Sequence, residues 1–297
     1  MKRHAYLIIA NKNFDQLQIL LELLDNEQND IYLLIDKKSS NIPDSFSVIN
    51  SNLFVLPQIP IYWGEYSQVQ AEINLLKEST KYHYQYFHLI SGQDLPIVSQ
   101  GKIHDFFDKH PNKIFLTYSK NSSEKKLDER SKTHLFRKHY RVAEYTGFKQ
   151  TLLKTYRKLE RLFLFFQKPK YKINNHVSTW FSIDEETANL IVSNEDWIFR
   201  NFSTGYLVDE IFIPALIDKY QLHHKVYDAT PVQDKPEEFQ GNLRYINWWD
   251  GQPYIWTIDD VDQIKFGKEI GHLFSRKFDI SRDIEIIDYI YRDISEK

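Results

Sequence analysis

The chain has 297 residues, of which 42% are apolar, so it is long enough to bury a substantial core. It contains no cysteine, which excludes disulfides, thiolate nucleophiles and cysteine-based metal sites. The formal net charge is only -3, and the apolar run near the start is too short for a signal peptide or a membrane span. We therefore expect a cytoplasmic globular protein.

The start of the chain has the pattern of a parallel sheet. Continuous apolar residues at His4–Ala10 predict a buried strand, an apolar stripe over Phe14–Leu24 predicts a helix, and residues 31–35 predict a second strand. Ligands of parallel sheets bind at the carboxyl ends of the strands. Asn11 and Lys12, which follow the first strand, and Asp36, which follows the second, are therefore candidate binding residues.

Strands and helices continue to alternate along the rest of the chain, with no repeat or linker, so we predict a single domain over residues 1–297. Ser67 is the expected N-cap of its helix, and Asp209 and Glu210 open another. The further elements predicted in chain order are a strand at 54–56, a helix at 67–81, a strand at 84–90, a polar turn at 91–96, strands at 115–118 and 178–183, helices at 185–194 and 207–220, strand-like residues at 243–249 and a helix at 258–265.

A basic segment covers approximately residues 120–172. It contains 16 of the 38 Lys and Arg residues but only five acidic ones. Residues 148–166 within it place an apolar stripe beside Lys and Arg on a predicted helix, a pattern typical of contact with an anionic membrane surface. A solvated surface helix and a nucleic-acid-binding segment are the alternatives.

Four stretches of sequence occur in a fixed order along the chain: IYWGEYSQVQA at 61–71, ISGQDLPI at 90–97, STWFS at 178–182 and LFSRKFD at 273–279. Together they resemble the bacterial branch of the core-2/I-branching β-1,6-N-acetylglucosaminyltransferase and xylosyltransferase family, glycosyltransferase family 14. The resemblance implies an α/β, GT-A-like fold with a mostly parallel central sheet flanked by helices. In such a domain the N-terminal half binds the nucleotide, and the C-terminal half carries the acceptor side and the catalytic base.

The resemblance also implies an inverting glycosyltransferase that uses a UDP-sugar without a metal ion or other cofactor. An Asp-x-Asp pattern, the usual metal motif of this fold class, does occur at Asp260 and Asp262, but it lies far downstream on a predicted helix. We therefore expect no metal site there.

Roles for individual residues follow from the same resemblance. Glu210 is the expected catalytic base, which takes the proton of the attacking acceptor hydroxyl, although an acid at a helix start can also have a purely structural role. The residues expected to bind the donor and its diphosphate are Asn11, Asp36, Trp63, Ser91, Asp94, Arg276 and Lys277. The residues expected to bind the acceptor are Glu129, Arg130, Trp180, Tyr245, Trp248 and Trp249, for several of which packing is the alternative role.

The expected substrate is UDP-N-acetylglucosamine, transferred in β-1,6 linkage to a glycan of bacterial exopolysaccharide, capsule or lipopolysaccharide synthesis. UDP-galactose, in pyranose or furanose form, and UDP-xylose are alternative donors. The acceptor is expected to be lipid-linked, with the protein at the inner face of the membrane. Outside this enzyme class, the alternatives are a nucleic-acid-binding protein and a non-catalytic glycan-binding protein.

Overall fold

A computed structural model describes residues 2–119, 123–135, 146–251 and 253–295. Parts of the predicted basic segment, residues 120–122 and 136–145, therefore lie outside the described residues. The strands are β1 His4–Ala10, β2 Asn29–Ile35, β3 Asn52–Val55, β4 Tyr86–Ser91, β5 Asp94–Pro96, β6 Ile114–Phe115, β7 Ser182–Asp184, β8 Arg244–Ile246 and β9 Phe274–Arg276. The α-helices are α1 Phe14–Leu24, α2 Tyr66–Ser79, α3 Gln100–Lys109, α4 Glu124–Arg130, α5 Gly147–Phe166, α6 Glu185–Ser193, α7 Glu195–Phe202, α8 Phe212–Tyr220, α9 Val261–Glu269 and α10 Glu285–Ser295.

The central sheet has six strands in the order β3-β2-β1-β4-β7-β6. The first four pair in parallel, whereas β7 runs antiparallel to both of its neighbours. Every residue of β2 and β4 is buried, as expected for strands covered on both faces. A smaller sheet, in the order β5-β9-β8, packs beside the main one. The predicted α/β architecture, a mostly parallel central sheet flanked by helices, is confirmed.

Two apolar clusters cover the two faces of the main sheet. One contains the buried residues of α2, α6, α7 and α8, and the other contains those of α1, α3, α9 and α10. The Arg244 guanidinium, fully buried, joins the two sheets because it donates hydrogen bonds to the Leu89 carbonyl at 3.1 Å and the Phe181 carbonyl at 2.6 Å. Its burial lowers the pKa of Arg244 to about 9. This joint fixes the small sheet against the end of β4.

Two predictions at helix starts were wrong. Ser67 does not cap α2, which begins one residue earlier, at Tyr66, after Glu65 as the N-cap. The Ser67 hydroxyl accepts a hydrogen bond from the backbone N–H of Tyr62 instead, at 2.9 Å. The helix predicted at 207–220 is also interrupted, because Val208–Glu210 forms a 3-10 turn and α8 begins only at Phe212.

Helix α5 has a narrow contact with the body of the protein. Only Leu153, Glu160 and Leu164 are buried among its 20 residues. Across the part of the chain that the structure describes, no helix has the length and apolar character needed to cross a membrane.

Candidate active site

A cleft of about 490 Å³ opens where the carboxyl ends of β1, β2 and β4 meet β9. This is the edge at which a parallel sheet collects its ligands, because the strand ends diverge there. Six of the seven predicted donor residues line the cleft, and the seventh, Asp94, lies directly behind it. The lining residues are Ile9, Ala10, Asn11, Lys12, Asp36, Lys38, Ser39, Ile61, Trp63, Gln68, Ser91, Gly92, Gln93, Trp180, Arg276 and Lys277.

Arg276 is held rigidly in the wall of the cleft. Its guanidinium donates hydrogen bonds to Asp94 Oδ1 at 2.7 Å and to Ser91 Oγ at 2.8 Å. It also lies over the Trp180 ring, 4.3 Å from the ring centroid. The buried Asp94 carboxylate further accepts hydrogen bonds from the N–H and hydroxyl of Ser91. Asp94 therefore orients Arg276 from behind and does not face the cleft itself.

Lys277 supplies a second positive charge to the cleft. Burial lowers the pKa of Lys277, and the neighbouring charges of Arg276 and Lys12 lower it further. Lys12 is paired with Asp279 at 2.5 Å, whereas Lys277 has no carboxylate within 4.0 Å in the ranges that the structure describes. An anion bound in the cleft would relieve this repulsion between cations.

The other predicted donor residues form the opposite wall. The buried Asp36 carboxylate accepts hydrogen bonds from the backbone N–H groups of Lys38 and Ile61, at 3.0 and 3.1 Å, which fixes the loop after β2. The Asn11 side chain is exposed at the end of β1. The Trp63 ring is 58% exposed and meets the Tyr206 ring edge-on, with 6.0 Å between centroids. An exposed indole at a cleft mouth offers a flat apolar surface to a ligand ring.

The paired acids Asp209 and Glu210 lie in the 3-10 turn before α8. Asp209 is buried, and its Oδ2 accepts hydrogen bonds from Thr179 Oγ1 at 2.7 Å and from Gln68 Nε2 at 3.1 Å. Because Gln68 lines the cleft and Thr179 precedes Trp180, these bonds tie the turn to the cleft wall. Asp209 thus has a positioning role.

Glu210 faces a separate, smaller cavity and forms an ion pair with Arg130, whose Nη1 lies 2.5 Å from Glu210 Oε2. Burial raises the pKa of Glu210, Arg130 opposes this shift, and Asp209 adds to it. The cavity has a volume of about 190 Å³ and contains hydroxyl, carboxyl and indole groups, the mixture that suits a sugar ring. Its lining residues are Thr117, Ser119, His176, Val177, Ser178, Glu210, Val232, Asp234 and Trp248.

The predicted acceptor aromatics separate into different environments. Trp248 is exposed and lines the cavity of Glu210. Tyr245 was predicted wrongly, because its ring is fully buried, stacks on Trp256 and donates its hydroxyl to a backbone carbonyl. Trp249 packs against the same two rings. Trp180 lines the donor cleft, so its predicted place on the acceptor side is also corrected.

Glu129 and Arg130, the remaining predicted acceptor residues, line a third cavity of about 350 Å³ between α4 and α5. Its other lining residues are Lys126, His134, Arg157, Glu160, Arg161, Leu164, Tyr206 and Leu207. We call this space the basic cavity. Arg130 connects it to Glu210, and Tyr206 connects it to Trp63 at the mouth of the donor cleft.

Several residues of the site were absent from the sequence prediction. Gln68 and Thr179 hold Asp209, and both belong to stretches that carried the family resemblance, so a signal was available. Asp234, in the cavity of Glu210, had no sequence signal because it lies in a loop outside every predicted element.

The Asp-x-Asp pattern has a structural use. Asp260 accepts hydrogen bonds from the backbone N–H and hydroxyl of Thr257, at 2.8 and 2.9 Å, and so forms a capping box. The Asp262 side chain is 94% exposed and pairs with Lys265 in the next turn of α9. Within the described residues, no group of three or more His, Asp or Glu side chains is arranged to hold a metal ion.

Comparisons with known proteins identify a family for this chain. A sequence model described as Core-2/I-Branching enzyme matches residues 4–266, which include nearly all of the elements above. No curated protein matches the chain significantly. The crystal structure of S. aureus TarS 1-349 is similar at 12% sequence identity with a TM-score of 0.25, and the match covers 41% of this chain and 37% of that one. The matched region therefore spans little more than a third of the TarS structure.

Proposed function

This chain belongs to the Core-2/I-Branching enzyme family and is a glycosyltransferase, and from that premise we propose that it is an inverting enzyme that transfers a sugar from a UDP-sugar without a metal ion. The observation that carries the proposal is the pairing of a cationic donor cleft with a separate cavity that contains a partly buried carboxylate. The two lie on either side of the Asp209–Glu210 turn.

The donor cleft has the charge that a departing diphosphate requires. Negative charge grows on the leaving group during transfer, and fixed cations stabilise it most where they need not reorganise. Arg276 need not reorganise, because Asp94 and Trp180 already hold its guanidinium in place. Lys277, which has no acidic partner among the described residues, supplies a charge that is not already neutralised. In this proposal the two side chains replace a divalent metal ion.

Glu210 is the proposed base. An inverting transfer needs one carboxylate to accept the proton of the acceptor hydroxyl as that oxygen attacks the sugar from the face opposite the diphosphate. Burial of Glu210 raises its pKa, which makes the carboxylate a stronger base, and the ion pair with Arg130 opposes this rise by favouring the charged form. Trp248 in the same cavity offers a flat surface to the acceptor sugar.

The family membership supports N-acetylglucosamine as the transferred sugar and β-1,6 as the linkage. Galactose, in pyranose or furanose form, and xylose are the alternatives. We place the reaction in bacterial exopolysaccharide, capsule or lipopolysaccharide synthesis, on a lipid-linked acceptor at the cytoplasmic face of the membrane.

Donor turnover in the presence of EDTA tests the mechanism. The purified protein is incubated with each UDP-sugar, and released UDP is measured for the wild type, Glu210→Gln and Lys277→Ala. We expect one donor to be consumed in EDTA and both substitutions to slow its turnover about a hundredfold or more. Asp262→Asn, an exposed acid of the Asp-x-Asp pattern, is the matched control and should leave the rate unchanged.

Two results would contradict the mechanism. Dependence of turnover on a divalent cation, together with a loss of activity in Asp262→Asn, would return the Asp-x-Asp pattern to the active site. Full activity of Glu210→Gln would remove Glu210 as the base.

The geometry of α5 supports contact with an anionic membrane. The buried stripe of Leu153, Glu160 and Leu164 faces the protein body. The apolar side chains roughly half a helical turn away from this stripe are exposed, with Phe148 at 82% and Phe166 at 77%. The exposed apolar residues on this outer face are Phe148, Leu152, Leu159, Leu162, Phe163 and Phe166.

Exposed basic residues adjoin this outer face. Lys154, Lys158 and Arg161 lie between it and the buried stripe. An apolar face flanked by Lys and Arg is the arrangement of helices that lie in the interface of anionic bilayers. We therefore place α5 against the inner leaflet.

Sedimentation with phospholipid vesicles tests the membrane contact. We expect binding to vesicles that contain phosphatidylglycerol, weaker binding at high salt, and loss of binding in Leu159→Gln/Phe166→Gln. Ile49→Gln/Ile284→Gln removes two exposed apolar side chains elsewhere on the surface and should bind normally. Equal binding by both double variants would show that α5 is not the membrane contact.

A further inference from the structure

The basic cavity is lined by four cationic side chains from two helices. Lys126 and Arg130 are four residues apart on α4, and Arg157 and Arg161 are four residues apart on α5. Residues with this spacing lie on one face of a helix, so each helix presents a pair of like charges to the space between them. Such pairs cost stability in the absence of an anion.

The acidic residues of the cavity offset this charge only in part. Two acids, Glu129 and Glu160, line it against the four cations. Glu160 is buried and lies 3.7 Å from His134 Nδ1. Arg130 forms an ion pair with Glu210 across the cavity wall. Among the residues that the structure describes, the lining therefore carries more positive than negative charge.

The basic cavity adjoins the proposed catalytic centre through Arg130, which lines the cavity and forms the ion pair with Glu210. The Tyr206 ring lies in its wall, and the charges of both Arg130 and Arg157 act on the Tyr206 hydroxyl. The negative charges of Glu210 and Asp209 raise the pKa of the same hydroxyl. A group bound in the basic cavity would thus lie next to an acceptor sugar held against Glu210.

We propose that the basic cavity binds an anionic substituent of the acceptor, so that the enzyme glycosylates a glycan whose reactive sugar or its neighbour carries a carboxylate or phosphate. This inference rests on the proposed function, because it assigns the acceptor class of the same site. It follows from the facing cation pairs of α4 and α5, and it names Arg157 and Arg161 as specificity residues.

The chemistry of the guanidinium group favours such a ligand. Its planar fork forms two parallel hydrogen bonds to a carboxylate or phosphate, which neither a neutral sugar hydroxyl nor an acetamido group accepts. Two arginines from one helix face can clamp the anion while Tyr206 packs against the sugar ring. A neutral glycan would bring no charge to complement the excess positive charge of the lining.

Ligand-observed NMR with simple glycosides tests the inference without a donor. Methyl β-glucuronide and methyl glucoside 6-phosphate are the anionic probes, and methyl β-glucoside is the neutral one. We expect the wild type to bind at least one anionic probe about tenfold more tightly than the neutral probe. Arg157→Gln/Arg161→Gln should lose this preference, and Arg157→Lys/Arg161→Lys should recover part of it.

The matched control is Lys102→Gln/Lys149→Gln, which removes two exposed lysines that lie outside the cavity. This variant should keep the preference for the anionic probe. UDP binding verifies that each variant is folded. If Arg157→Gln/Arg161→Gln does not bind UDP, the single variant Arg161→Gln, at an exposed position, replaces it in the test. Equal affinity of the wild type for all three probes, or a preference that survives in Arg157→Gln/Arg161→Gln, would overturn the inference.

Two further results distinguish an acceptor-anion site from a lipid-headgroup site and from the donor reaction. If Arg157→Gln/Arg161→Gln loses binding to phosphatidylglycerol vesicles and the wild type shows no glycoside preference, the arginines bind lipid headgroups and the inference is wrong. If no UDP-sugar is turned over but the anionic preference is present and depends on the two arginines, the proposed reaction fails while the anion site stands.

Discussion

Glu72 is a fully buried carboxyl group on α2, one helical turn after Gln68. Neither of its oxygens has a hydrogen-bond partner among the described residues. Burial raises the pKa of Glu72 well above its usual value, and the charge of Asp209 raises it further. The folded protein therefore keeps Glu72 protonated at pH values where the unfolded chain has released the proton.

This difference predicts a specific effect of Glu72→Gln on stability. Because the folded state binds the proton more tightly, Glu72 lowers the free energy of unfolding as pH rises above about 4.5, by at most about 1.4 kcal/mol per pH unit. The neutral glutamine removes this dependence. Urea unfolding at several pH values should show that the free energy of unfolding of the variant increases relative to that of the wild type as pH rises. A difference that does not change with pH would contradict the raised pKa of Glu72.

Asp94 and Arg276 form an ion pair in the wall of the cleft. The ion pair is 2.7 Å long and largely buried, so Asp94→Asn should lower the free energy of unfolding by about 2 kcal/mol. A bound diphosphate offers Arg276 a replacement partner. Saturating UDP should therefore raise the melting temperature of Asp94→Asn more than that of the wild type. An equal rise in the two proteins would show that Arg276 does not bind the diphosphate.

At the scale of elements, the loop before Val208–Glu210 positions the turn that carries the proposed base. A Cβ atom added at Gly205 would lie 2.4 Å from the Arg130 carbonyl oxygen and 2.5 Å from Val208 Cγ1. The backbone N–H of Tyr206 also donates to that same carbonyl, at 2.9 Å. The loop and α4 are thus packed backbone to backbone, and their contact sets the distance between Arg130 and Glu210.

Gly205→Ala should force this contact apart. We expect a loss of about 1 to 3 kcal/mol in unfolding free energy and a fall in turnover, since the clash involves backbone and cannot be relieved by a rotamer change. Gly101→Ala in α3 is the control, because no atom lies within 4 Å of its added Cβ. Alanine there should stabilise the helix by up to about 1 kcal/mol, measured by thermal and urea unfolding.

For the whole molecule, three buried histidines oppose the effect of Glu72 on pH stability. His88 Nε2 lies 3.1 Å from His4 Nδ1. The ring centroids of His4 and His104 are 4.1 Å apart. Burial lowers the pKa of all three rings. Mutual repulsion lowers the pKa of His4 and His88 further, whereas nearby aspartates partly offset the shift of His104.

The folded protein should therefore lose stability in mild acid. The unfolded chain takes up these protons below about pH 6.5, and each ring contributes at most about 1.4 kcal/mol per pH unit. His88→Gln should make the decline between pH 6.5 and 5 less steep. His83→Gln, at a ring that is 96% exposed, should leave it unchanged. Identical slopes in the wild type and His88→Gln would refute this origin of acid lability.

The sequence by itself determined the first strands and the edge of the sheet at which the site lies. Apolar runs fixed β1 and β2 because a strand covered on both faces must be apolar throughout. Polar residues at the strand ends, Asn11 and Asp36 among them, then had to meet at one edge. The Asp209–Glu210 pair was predicted at a helix start, with the role of Glu210 implied by the family resemblance, but its 3-10 geometry was not predicted.

Only the tertiary structure decided which side chains face the site. Tyr245 and Trp248 are three residues apart and equally aromatic, yet the packing of the small sheet buries one and leaves the other beside Glu210. The partners of Glu210 and Arg276 are 80 and 182 residues away, respectively, in the chain. Periodicity reports the face of an element but not the element that will cover it, because that choice depends on long-range packing.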